Sequence, residues 1–223
     1  MTVSDILTGP TLVLDAGGAR IFGGILKDGA WTSWNSSEQP ALESLFSLTR
    51  SWLDQSNLSL NQIRSFAFCD GPGSTLGLRL ASAALLTWQQ LAQEARPVFH
   101  YHSLHLAWYP LLQKGVSAEA WLITDYRKNC WLGAPAKKPD SIAELDTVTL
   151  SEIPKEIYYL PQRKSWMAPP GEIQTVYYPF EQIPRFFTLP GAGKIESQPL
   201  LAVPGKSDYR RWAPERHRAP PTT

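Results

Sequence analysis

Cysteine, net charge and long apolar runs are all scarce in this chain. Its two cysteines, Cys69 and Cys130, form no CxxC pair and have no cysteine–histidine set beside them, which excludes a zinc framework of familiar spacing. Both read as buried small hydrophobes. Lys and Arg total 21 against 20 Asp and Glu, a formal charge of +1, so no overall field holds a nucleic acid by its phosphates and any such link runs through a partner. Nowhere do roughly 18 apolar residues run uninterrupted, so no membrane-spanning helix is expected. The start, Met1 to Pro10, carries Asp5 and no basic residue, unlike a signal segment, and the expected address is the cytoplasm.

What is present is enough for a substantial core: 223 residues, 43% hydrophobic, with nine tryptophans. Thr11 to Asp15, Arg20 to Leu26 and Ala30 to Trp34 read as strands, the last two joined by Asp28-Gly29, a hairpin signal. A helix carrying Leu42, Leu45, Phe46, Leu48, Trp52 and Leu53 follows Ser36-Ser37 and Pro40. Phe66 to Cys69 makes a buried strand ending at Asp70. From there Gly71-Pro72-Gly73-Ser74-Thr75 turns into a helix expected to run to about Glu94, with Ser74 or Thr75 as its cap. Pro97 to Tyr101 is a further strand, with Ser103 capping a helix to Gln113. This alternation predicts an α/β layer architecture. Ala120 to Asp125 and Cys130 to Ala134 read as a hairpin, and Thr147 to Leu150, Ile157 to Leu160 and Ile173 to Tyr177 as later strands. The sequence has no evident internal repeat.

Chemistry-bearing patterns are few. Asp15-Ala16-Gly17-Gly18 after an apolar strand is similar to a first phosphate-binding loop of the actin and sugar-kinase class, and Gly71-Pro72-Gly73-Ser74 could cradle an anion at a helix start. Equally, these glycines could serve only the tight strand-to-helix turn. No Asp-x-Gly-Gly turn follows a clean strand in the second half, so a complete nucleotide cleft is not expected. Ser74 has no G-x-S-x-G context. His100 and His102 share a strand face, with His105 a turn into the next helix, but no carboxylate in that run completes a metal set. The helix after Gly73 has apolar residues over roughly 220° of its wheel, more than one sheet needs. A partner-docking surface and a helix sandwiched in its own domain both fit that width.

In order along the chain, these motifs resemble the TsaB family, actin-like relatives of the TsaD threonylcarbamoyl transferase. Asp70-Gly-Pro-Gly-Ser-Thr-Leu-Gly-Leu-Arg79 is similar to the family's Gly-Pro-Gly-Ser-Phe-Thr-Gly-Leu-Arg signature. Leu12 to Asp15, Ser37-Glu38 with Pro40, Ser103-Leu104 and Asp125-Tyr-Arg127 are similar to other family landmarks. Ala16-Gly17-Gly18 departs from the family's Thr-Ser-Thr.

The resemblance implies an actin-like (ribonuclease H-like) α/β fold of two lobes, the C-terminal one reduced. Its parts would be residues 1–110, a reduced lobe at 111–204 and a basic tail at 205–223. It implies a non-catalytic subunit pairing with TsaD, joined by TsaE, and meeting tRNA only indirectly or through the tail. No cofactor is expected on this chain alone, ATP and metal being expected on TsaD. Asp15, Gly17, Gly71, Gly73 and Ser74 stand as weak phosphate-loop candidates, and no catalytic or metal residue is expected. Contact candidates are Leu45, Leu48, Trp52, Leu78, Ala81, Leu85 and Trp88. Rival readings are an actin-like ATPase or kinase, a peptidase-like hydrolase, and a degenerate member that only forms homodimers.

Overall fold

A computed structural model gives the structure, which describes residues 8–92, 95–153, 156–161 and 173–199. The basic tail lies outside the described residues.

The first sheet opens with β1 (Thr11–Asp15), β2 (Ile21–Lys27) and β3 (Ala30–Ser37), an antiparallel meander. Its tight turn uses positive φ at both Asp28 (52°) and Gly29 (73°), as the Asp-Gly pair predicts. Helix α1 (Ala41–Gln55) then crosses to β4 (Ser65–Gly71), which pairs parallel to β1. Helix α2 (Thr75–Leu91) crosses to β5 (Val98–His102), parallel to β4. Ser74 is the α2 cap, its hydroxyl accepting from the Gly77 N–H at 3.4 Å. Helix α2 stops short of the expected Glu94.

The second sheet repeats this plan. β6 (Trp121–Arg127), β7 (Cys130–Pro135) and β8 (Ala143–Asp146) form a meander, α4 (Thr147–Glu152) crosses over, and β9 (Ile157–Leu160) pairs parallel to β6 with β10 (Gln174–Thr175) outside it. The order β8-β7-β6-β9-β10 copies β3-β2-β1-β4-β5. The chain is therefore duplicated in fold, which the sequence conceals because loops and helices between matching strands differ in length and composition. Thr147 to Leu150, expected as strand, is the start of α4, since Asp146 accepts from the Thr149 N–H at 2.7 Å and caps a helix there. The strand expected over 173–177 shrinks to β10.

Helix α3 (Ser103–Gln113) is the spine between lobes. Its Leu106 and Tyr109 join the first-lobe core, while Leu104, Ala107, Trp108 and Leu111 pack against second-lobe residues such as Leu122 and Tyr158. The chain then returns: Phe180, Ile183, Phe186 and Phe187, around α5 (Ile183–Phe186), fill the first-lobe core, and β11 (Lys194–Glu196) pairs antiparallel with β5. Described residues from 180 onward thus belong with the first lobe, a correction to a second lobe running unbroken over 111–204. Aromatic packing drives this return, with Phe187 4.6 Å from Phe99 and Phe180 5.1 Å from Phe22, centroid to centroid. Among the described residues no helix is long and apolar enough to cross a membrane.

Candidate functional site

The inner end of β1 carries the buried carboxylate Asp15. Its Oδ1 accepts the Gly17 N–H at 3.0 Å, and its Oδ2 accepts the hydroxyls of Tyr101, at 3.1 Å, and Tyr178. Burial pushes the Asp15 carboxyl up, further than the Tyr178, Gly17 and Tyr101 donors pull it back. Burial likewise raises the neighbouring Cys69 thiol. Three donors occupy most of the carboxylate's acceptor directions.

The glycine-rich turn lies directly on this loop. The Ser74 N–H donates to the Gly17 carbonyl at 2.6 Å, and a Cβ on Gly73 would stand 2.3 Å from that same oxygen. One on Gly77 would stand 2.0 Å from the Ala16 carbonyl oxygen. The weak phosphate-loop candidates are thus brought together in part: Asp15, Gly17, Gly73 and Ser74 meet, but the Gly17 and Ser74 amides bind the protein itself. Gly71, at φ 119°, makes the turn out of β4. Close packing of two loops accounts for the glycines here.

A second polar cluster sits one strand away. Asp70, at the end of β4, has His102 Nδ1 2.7 Å from Oδ1 and His100 Nδ1 3.5 Å from Oδ2. Neither approach is an aligned hydrogen bond, since among the described residues none of Asp70 Oδ1 and the two Nδ1 atoms meets a partner at bonding geometry. His100 Nε2 donates to the Gln198 carbonyl at 2.9 Å, tying the chain beyond β11 to β5. Burial would lift the Asp70 carboxyl, but the two imidazoles outweigh it and hold it below the ordinary value. For His102, burial pushes down and the Asp70 carboxylate more than offsets it, so its pKa ends up raised. The sequence placed His100 and His102 on one face but missed Asp70, whose contribution depends on parallel pairing of β4 with β5. His105 stands apart, its ring 5.0 Å from Phe186, and burial lowers its pKa. Among the described residues no three His, Cys, Asp or Glu side chains come together as a metal set.

The contact candidates fare differently from expectation. Leu45, Trp52, Leu78, Ala81, Leu85 and Trp88 are buried, and half-buried Leu48 packs against the same core. They fasten α1 and α2 to their own sheet, which the width of the α2 apolar arc could not reveal. The surplus of that arc faces outward instead: Leu76 and Leu91 are 73% and 70% exposed on α2, and Leu42 and Phe46 71% and 55% on α1. Leu76, Leu80, Ala83, Thr87 and Leu91 fall on one stripe at helical spacing. Phe46 meets Trp88 edge-on at 6.2 Å, which sets the two helices side by side.

A cavity of about 360 Å³ opens between the lobes, walled by Asp15, Arg20, Phe22, Ser103, Tyr177 and Tyr178 and by the end of β9. Ser103, expected as a cap, is instead the first residue of α3, and its hydroxyl donates to the Pro72 carbonyl at 2.8 Å.

No protein-family model matches the chain, and no curated protein matches it. Among solved structures it is similar to YeaZ from Pseudomonas aeruginosa, at 21% identity and a TM-score of 0.54, over 69% of this chain and 76% of that one. It is also similar to an uncharacterized protein described as similar to peptidase YeaZ from Pseudomonas aeruginosa, at 18% identity and a TM-score of 0.58, over 89% of this chain and 99% of that one. The chain has the two-lobed α/β fold of these neighbours, actin-like and built from two ribonuclease H-like sheets.

Proposed function

We propose that the chain is a TsaB-type scaffolding subunit, non-catalytic by itself, that works in the cytoplasm in tRNA modification. It pairs with a TsaD subunit for threonylcarbamoyl transfer to the adenosine beside the anticodon. The observation that carries this reading is the outer face of α1 and α2, where Leu42, Phe46, Leu76 and Leu91 stand more than half exposed on two touching helices. Exposed apolar side chains on adjoining helices gain by meeting another apolar surface. The small Ala83 between them lets a partner helix come close.

The YeaZ likeness supports the reading at the level of fold, and the ordered motifs around Asp70 to Arg79 support it at the level of sequence. In this division of labour ATP, metal and the transfer step belong to TsaD, and TsaE joins the pair. Side chains that sequence alone offered for chemistry have structural duties here: Asp15 is held by three donors and Ser74 caps α2.

Co-purification with the TsaD protein of the same organism tests the proposal, using wild type, Leu76→Glu and Phe46→Glu. A heterodimer formed by the wild type and lost in both folded variants is the expected result. A wild-type chain that ignores TsaD and runs as a symmetric dimer, or binds ATP alone, would replace the proposal with one of its rivals.

A further inference from the structure

We propose that the cavity between the lobes is a binding site for a small, flat aromatic molecule carrying a single negative charge, of which an aromatic carboxylate is the simplest form. The inference does not depend on pairing with TsaD. At about 360 Å³ the cavity lies at the lower end of the roughly 300–1,000 Å³ usual for ligand pockets, which suits one or two fused rings and not a nucleoside triphosphate. Its walls come from both lobes: the β1 end and the loop after it, Phe22 on β2, Ser103 on α3, Leu160 on β9, and Val176 to Tyr178.

The wall chemistry selects the ligand. Phe22 and Tyr178 stand with ring centroids 5.6 Å apart, and Phe22 is backed by Phe180 at 5.1 Å, so one wall is a preformed aromatic surface. Tyr177, 67% exposed, offers a further ring from the rim. An exposed tyrosine on a cavity rim can close on a flat ligand without disturbing the core.

Charge sets the ligand's sign and its limit. Among the described residues Arg20 is the only cationic side chain in the lining, half exposed and paired with the exposed Glu38. A ligand carboxylate can take over that guanidinium from Glu38, exchanging one surface ion pair for another inside a drier cleft. Near the same mouth stand Glu38, Glu181, which acts on Tyr177, and the buried Asp15. Among the described residues the mouth thus offers one guanidinium beside three acids, so one ligand carboxylate finds a partner and any further negative charge finds none. A metal-bound phosphate chain would in addition have to displace the Tyr178 hydroxyl from Asp15.

The full chain is titrated by calorimetry with indole-3-acetate, indole-3-acetamide and magnesium ATP. Saturable binding of the acetate is expected, with the amide about five-fold weaker and no saturable binding of magnesium ATP. Arg20→Gln should bring the acetate down to the level of the amide, and Glu38→Gln should tighten the acetate and leave the amide unchanged. Tyr177→Ala should weaken both. All three residues are exposed, so the fold is retained. Saturable ATP binding, no binding of either indole, or acetate binding indifferent to Arg20→Gln and Tyr177→Ala would each overturn the inference.

Discussion

The two lobes share one strand order but differ in what covers and fastens it. Among the described residues the first sheet carries α1 and α2, 15 and 17 residues long, while the crossover of the second that matches α1 is the six-residue α4. Each lobe has an aspartate late in its first strand, Asp15 at the end of β1 opposite Phe22 and Asp125 two residues before the end of β6 opposite Trp131. Asp15 is held by three donors, whereas Asp125 accepts the Tyr159 hydroxyl at 2.7 Å and, among the described residues, its Oδ2 meets no donor. One architecture thus supports a lobe with two long helices on its surface and a second lobe that helps to wall the cleft. Duplication fixes where the strands go and leaves helices and loops to set what each lobe does.

The largest expected effect separates the lobes at their glycines. In Gly77→Ala the new methyl meets the Ala16 backbone oxygen, so thermal or urea unfolding should reveal a loss of about 3 kcal/mol or more. In Gly133→Ala of the second lobe its closest approach, 2.7 Å, is to the end of the Leu145 side chain, which can shift, with Ile123 Cγ2 at 3.1 Å and the Leu122 carbonyl oxygen at 3.3 Å, and the loss should be about 1 kcal/mol. Equal losses would mean that the first-lobe loops are no tighter than the second lobe's sheet.

Next in size is the aspartate pair. Asp15→Ala strips the buried Tyr101 and Tyr178 hydroxyls of their acceptor and should cost about 2 kcal/mol, against about 0.5 kcal/mol for Asp125→Ala. Urea denaturation of both variants checks the order.

Smaller again is a pH effect confined to the first lobe. The raised pKa of His102 means that its contribution is complete below the ordinary histidine value of about 6.5 and fades as pH rises through its folded value. The depressed Asp70 acts oppositely, its contribution present above about 3.9 and lost as pH falls through its folded value. His102→Asn should therefore flatten stability against pH in the near-neutral window, and an unchanged slope would place that titration elsewhere. The smallest effect is on the outer helix face: Phe46→Glu and Leu76→Glu should alter stability by no more than about 0.5 kcal/mol.

Local chemistry was legible in the sequence where a short stretch decides it. The Asp28-Gly29 turn, the Ser74 cap, the β6–β7 hairpin and both buried cysteines follow from neighbouring residues alone. What depended on tertiary placement was hidden. The apolar arc of α2 predicts burial, but which part meets the sheet is decided by α1 beside it, so the contact candidates fell on the core side. Asp146 caps α4 within a stretch that reads as strand. Asp70 reaches His100 and His102 only through strand pairing, and Tyr178 reaches Asp15 only because the chain doubles back across the cleft.

The central claim is that the outer face of α1 and α2 serves a partner and that the fold beneath serves to hold it. The most direct measurement is threonylcarbamoyladenosine formed on tRNA by the TsaD protein of the same organism, with TsaE and the threonylcarbamoyl adenylate supplied, in the presence and absence of this chain. The account predicts product with the wild-type chain, and none without it or with the folded Leu76→Glu variant. Product that is indifferent to the chain, or equal with Leu76→Glu, would contradict it.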